Sequence, residues 1–192
     1  LGTERSRQAD LWFQFGREGG ILNATTTLWV NHLHNYIAGE RFDEIFKRYA
    51  NMGSALLAGF EADLNLHLPG HWHAGASASW VFGQHSELDE PLPMIPPLKG
   101  TFFLMRESGG VSWETRVRWA APQDRIARKN SLENRTAGYL LWDLYASRSL
   151  LPNLTLQAGV ENLLDHHYTD HLSVNDMPGA GRNLQVALRF TF

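Results

Sequence analysis

Three histidines and two acids crowd one short stretch of the chain: Asp165, His166, His167, Asp170 and His171. Imidazole and carboxylate together suit Zn2+ or Cu2+, so a loop holding them could act as a first capture site for a metal ion. Their spacing fits no closed metal-binding motif, and a solvated, hydrogen-bonding loop is the plainer reading. His85 and Met94 form a second candidate pair. His71 and His73 share a parity, with His67 across a turn; a strand His-x-His can chelate, and packing at a strand end is the alternative. His32 and His34 read as interfacial residues. Catalysis has no candidate. The chain lacks Gly-x-Ser-x-Gly, His-Glu-x-x-His and a Gly-rich phosphate loop, so it is not expected to be an enzyme or to hold a cofactor.

The elements that must position these groups are strands. The final ten residues alternate without a fault: Leu184, Val186, Leu188, Phe190 and Phe192 against Asn183, Gln185, Ala187, Arg189 and Thr191. Period-two alternation sends successive side chains to opposite faces. Nine strands are predicted, over 8–16, 21–34, 55–67, 71–82, 99–106, 111–119, 138–148, 154–163 and 183–192. The fifth, Lys99 to Arg106, alternates poorly. Short and long connections take turns between them. The turns fall at 17–20, 69–70, 107–110 and 149–153, and the loops at 36–53, 84–98, 120–137 and 165–181.

That sorting is what bacterial outer-membrane barrels show, with short periplasmic turns and long extracellular loops. Trp72 and Trp80 share a face eight residues apart, a height of roughly 20 Å at ~3.3 Å per residue and a tilt of ~40°. This approaches the ~25 Å apolar band between aromatic girdles. The opposite face carries Glu61, Asp63, Glu114, Arg116, Arg118, Asp143, Glu161 and Arg189. Such charges suit a wet or plugged lumen and would be costly in a dry core. Either they contact a plug or solute, or they form a mutually compensating lattice. A soluble β-sandwich would give the same stripe, with Trp80, Trp142 and Leu188 hidden between two layers.

Composition agrees. The 192 residues carry a net charge of −3 without a basic cluster, which excludes a strong nucleic-acid footprint. Seven Trp, ten Phe and five Tyr are many aromatics for so polar a chain, and the absence of cysteine excludes a disulfide framework. No run of about 18 apolar residues marks a transmembrane helix. The chain begins at Leu1 without a signal peptide and reads as a piece of something longer.

Several segments resemble the carboxyl-terminal barrel of TonB-dependent outer-membrane receptors. Glu4-Arg5-Ser6 ahead of Ala9-Asp10-Leu11 resembles the start of one family strand. Asn51 to Gly59-Phe60-Glu61 and Leu141-Trp142-Asp143-Leu144 resemble two more. Pro93-Met94-Ile95-Pro96-Pro97 resembles a family loop. Gly159-Val160-Glu161-Asn162-Leu163-Leu164-Asp165 with Tyr168, followed by Pro178-Gly179-Ala180-Gly181-Arg182 and a final Phe192, resembles the family's last two strands. The stretch around Tyr168 to Ser173 is similar to one in the copper-receptor branch.

The resemblance implies the all-β, antiparallel last portion of a barrel of about 22 strands. Residues 1–192 would be wall and outer loops, without the amino-terminal plug, the TonB box or the first barrel strands. It implies an outer-membrane location in a Gram-negative bacterium and uptake of a scarce metal-related solute: iron-siderophore, haem, copper or zinc. The implied partners are outer-membrane lipid, the missing plug and barrel half, TonB through that plug, and the barrel-assembly machinery reading Phe192; no nucleic acid is implied. A passive porin or adhesion barrel, and a soluble β-sandwich binding module, are the alternatives.

Overall fold

In the computed structural model, residues 1–17, 19–41, 47–129, 131 and 133–192 are described. Parts of the predicted 17–20 turn and of the 36–53 and 120–137 loops fall outside them. The wall strands are β1 (Arg5–Gly16), β2 (Leu22–His34), β5 (Ser54–Leu68), β6 (Trp72–His85), β8 (Lys99–Ser108), β9 (Val111–Ala120), β10 (Tyr139–Leu151), β11 (Leu154–Glu161) and β12 (Asn183–Phe190). They pair antiparallel in the order β1-β2-β5-β6-β8-β9-β10-β11-β12, each with its neighbour in this series. Three short strands lie in the loops. β3 (Ile37–Arg41) and β4 (Lys47–Asn51) make a separate hairpin, and β7 (Glu90–Pro91) adds to β6. No described helix is long and apolar enough to cross a membrane, which says nothing about strands.

The pairing register joins the apolar positions of all nine strands into one face. Leu28 meets Phe60, Phe60 meets Trp80, Ala76 meets Phe102, Phe102 meets Val117, Val117 meets Trp142, and Leu156 meets Leu188. Residues paired across antiparallel strands project to the same side, so a slip of one position anywhere would have broken this face. Among the described residues no second layer covers it. Trp80 and Trp142 are each 39% exposed and Leu188 65%, so the sandwich alternative fails.

Among strand positions of this face no carboxylate occurs. Its ionisable groups are Arg5, Arg7, His32 and His34 at the loop end, and Arg106 and Arg148 at the turn end. Near the turns Trp72 and Trp113 meet edge to face at 5.0 Å, and the Arg106 guanidinium lies 5.4 Å from the Trp72 ring. Midway up, the Trp142 indole N–H donates to Thr115 Oγ1 at 2.6 Å. That bond pairs a donor that would otherwise be left without a partner on the uncovered apolar face.

The fifth predicted strand forms as β8, its alternation blurred because Phe103 and Met105 sit on the polar face. Two sequence expectations need correction. His71 does not share a strand face with His73, because it lies in the turn at φ 62°. The predicted 36–53 loop contains a hairpin, which period-two patterning missed because neither of its strands is sorted into an oily and a wet side.

The core sits at the loop end, on the polar face. Ala55, Leu92 and Ile95 are buried there against Leu33, Tyr36, Leu57 and Val81. The loop after β6 therefore folds inward over the wall. Gly83 permits this approach, since a Cβ there would lie 2.6 Å from Ile95 Cδ1.

Candidate functional site

All eight charged wall residues take polar-face positions, and four of them form two ion pairs. Asp143, fully buried, accepts two hydrogen bonds from Arg118, from Nε at 2.7 Å and Nη2 at 3.0 Å. Its Oδ1 also accepts the backbone N–H of Asn162 at 2.9 Å. Arg116 pairs with Glu114 at 2.6 Å and lies 5.4 Å from the Tyr145 ring. The Tyr145 hydroxyl donates to Glu161, which also accepts from Asn183. Glu61 and Asp63 are exposed and face a concavity of about 420 Å3 shared with Lys99, Arg118, Tyr139 and Asp170. Arg189 stands exposed on β12 opposite Thr155. Phe192 is fully exposed, its ring 6.3 Å from that of Phe190.

Loop 162–182 is anchored at its root. Asn162, at φ 50°, closes it by accepting the His166 N–H and donating to the carbonyls of His166 and Ala180. Asp165 accepts the Arg182 N–H at 2.8 Å. These side-chain-to-backbone bonds are the ones expected of Asn and Asp at a turn. The Tyr168 ring packs at a tilt against Tyr139, centroids 4.6 Å apart, and Gly179 is small enough to lie under the Tyr168 ring.

This anchoring separates the candidate metal ligands. His166 and His167 are exposed and flank a cavity of about 580 Å3 with Asn134, Arg135 and Asp176. His171 turns the other way and is buried; its Nδ1 lies 3.1 Å from Thr136 Oγ1 and its Nε2 4.0 Å from Glu133. Asp170 accepts from the Tyr139 hydroxyl and from the Leu172 N–H. His85 is buried, accepts the Leu88 N–H at 3.2 Å and meets Tyr36 edge to face; Met94 is 56% exposed. Among the described residues no group of three or more His, Cys, Asp or Glu is placed to hold a metal ion.

Sequence reasoning missed the residues that tie the loops together. β6 pairs with β8 only through Ser79, so residues 80–85 stand above their neighbour. The 121–138 loop fills this step. Arg125 donates to Gly83 O and Gln84 Oε1 and covers the Phe82 ring at 4.1 Å. Buried Gln123 donates to Ile95 O at 2.8 Å. Glu133 accepts the N–H groups of Met94 and Ala127, and Glu90 those of Arg128 and Lys129. Polar loop residues bonded to backbone leave no periodic trace in sequence.

Residues 1–163 match the family described as TonB dependent receptor-like, beta-barrel. No curated protein sequence matches the chain. Among solved structures, the copper transporter OprC superposes with a TM-score of 0.89 at 31% identity, covering 98% of this chain and 31% of that one. The FrpB iron transporter from Neisseria meningitidis (F3-3 variant) gives 0.78 at 19% identity, covering 98% and 31%. The siderophore receptor PirA from Acinetobacter baumannii gives 0.79 at 18%, covering 98% and 32%. The chain thus spans about a third of the length of these structures. With a family match over most of its length and one unbroken antiparallel wall, the chain belongs to the TonB-dependent receptor-like β-barrel family.

Proposed function

We propose that the chain forms wall and outer loops of a Gram-negative outer-membrane receptor that takes up a scarce metal, with copper as cargo. The apolar face meets lipid and the polar face lines the lumen. The single observation that favours copper is the likeness to the copper transporter OprC at 31% identity over nearly the whole chain, against 18–19% for the iron and siderophore receptors above. In this reading an amino-terminal plug fills the lumen and couples to TonB, and both belong to the rest of the protein. The exposed His166 and His167 beside their cavity are the first contact for an arriving ion or chelate. Phe192 is the residue that the assembly machinery reads. Catalysis plays no role.

The test is growth and metal content of a gene-deletion strain under separate copper, zinc and iron limitation. A defect confined to copper, restored by the intact gene, supports the reading. A defect confined to iron chelates would transfer the cargo to the siderophore class, whose receptors share this fold. No defect under any limitation would remove the metal cargo altogether.

A further inference from the structure

The register places His67, His73 and Met105 side by side on the polar face near the turns. His67 is the cross-strand partner of His73, and His73 is that of Met105. The two imidazoles meet at right angles with ring centroids 5.0 Å apart. Neither ring is engaged in a hydrogen bond among the described residues. Adjacent strands lie about 4.8 Å apart, so an atom held above the middle strand is within reach of all three side chains. Two imidazole nitrogens at about 2.0 Å from one ion, at a wide angle, put ring centres about 5 Å apart. The observed spacing therefore needs only ring rotation.

The chemistry of the row is soft. The next residue in the same register is Glu114, whose Oε1 is held by Arg116 Nε at 2.8 Å and Nη2 at 2.6 Å, while Glu107, two residues beyond Met105 on the same face, lines the turn-end concavity with His71. The row itself supplies two nitrogens and one thioether, a donor set that suits Cu(I). Met105 also lines a concavity of about 300 Å3 with Glu114, Tyr145 and Gln185, so the row opens to the lumen side. We propose that His67, His73 and Met105 form a Cu(I)-binding station on the inner wall at the turn end, far from the outer loops. This rests on the reading of copper as cargo.

The experiment uses the intact receptor purified in detergent, loaded anaerobically with Cu(I) alone. Bound copper is counted against a chelator, and its ligands are read by X-ray absorption. Wild type is expected to hold about one equivalent with nitrogen and sulfur neighbours. His73→Ala should lose that equivalent, and Met105→Leu, a shape-conserving change, should lose the sulfur signal. Heat-modifiable gel mobility checks that each variant is folded, and Met105→Leu keeps the test open should His73→Ala fail to assemble. Equal binding by wild type and both variants, or wild-type copper without a sulfur neighbour, overturns the station. Copper uptake by cells judges the cargo separately. Uptake by wild type with unaltered binding in the variants removes the station alone; wild-type binding with no uptake removes the cargo reading alone.

Discussion

Arg118 grips Asp143 with two hydrogen bonds across β9 and β10, one same-face position beyond the residue directly opposite, which is Arg116. The carboxylate is inaccessible to solvent, while the guanidinium side chain keeps 39% of its surface in contact with it. Asp143 also receives the Asn162 N–H, so one buried acid joins the wall to the root of loop 162–182. Asp143→Ala removes three bonds and leaves Arg118 and a buried N–H without their partner. Breaking such a pair costs about 3 kcal/mol, the lower end of the usual range because Arg118 can turn to water. Urea unfolding of the detergent-solubilised receptor measures it, and Asp143→Asn should lose less.

Asn162→Ala should leave the wall intact and loosen the loop. Three side-chain bonds disappear at about 1 kcal/mol each, and Ala is strained at the positive φ that Asn tolerates. The amide of His166 should exchange with deuterium faster, and cleavage by protease should concentrate between residues 163 and 182. Unchanged exchange there would mean that the packing of Tyr168 against Tyr139 suffices to hold the loop.

Thr115→Val isolates one hydrogen bond on the lipid side. The shape is kept and the acceptor of the Trp142 indole is lost. In hydrocarbon no water replaces it, and the expected cost is about 1–2 kcal/mol. Equilibrium unfolding in lipid vesicles checks this, with Trp142→Phe in the Thr115→Val background recovering some of the loss.

Glu133→Ala should separate a pair of loops that the wall alone does not join. Its carboxylate takes the N–H groups of Met94 and Ala127 and faces His171. Bonds to a charged acceptor contribute about 1.5–3 kcal/mol each. Hydrogen exchange at Ala127 should rise, while exchange in β9 and β10 stays slow.

Phe192→Ala should lower the amount of receptor in the outer membrane without altering the solute affinity of the molecules that arrive. Quantitative immunoblotting of membrane fractions, paired with binding by the purified variant, separates the two quantities.

The wall was legible in the sequence because two solvents demand opposite side chains, and strands between them carry a period of two. β12 shows it without exception. β8 hides it because Phe103 and Met105 are lumen residues of apolar type. The loops answer to neither demand. Gln123, Glu90 and Glu133 act on backbone groups that any residue supplies, so no spacing announced them. His71 was misplaced because parity was counted through a turn in which φ is positive. His67 and His73 stood out in the sequence as histidines flanking a turn, but Met105 joins them from a third strand only through the register, and pairing order is invisible until the sheet is drawn.

The lipid-side surface of the wall strands bears cations at both borders and no anion anywhere between them. In the proposed outer-membrane setting, phosphate-bearing headgroups of either leaflet meet attraction at each border, and no strand presents a negative charge to the lipid on this face. A single Asp placed at Leu104 or Leu144 would cancel that asymmetry, and the cell would see the result first as slow insertion.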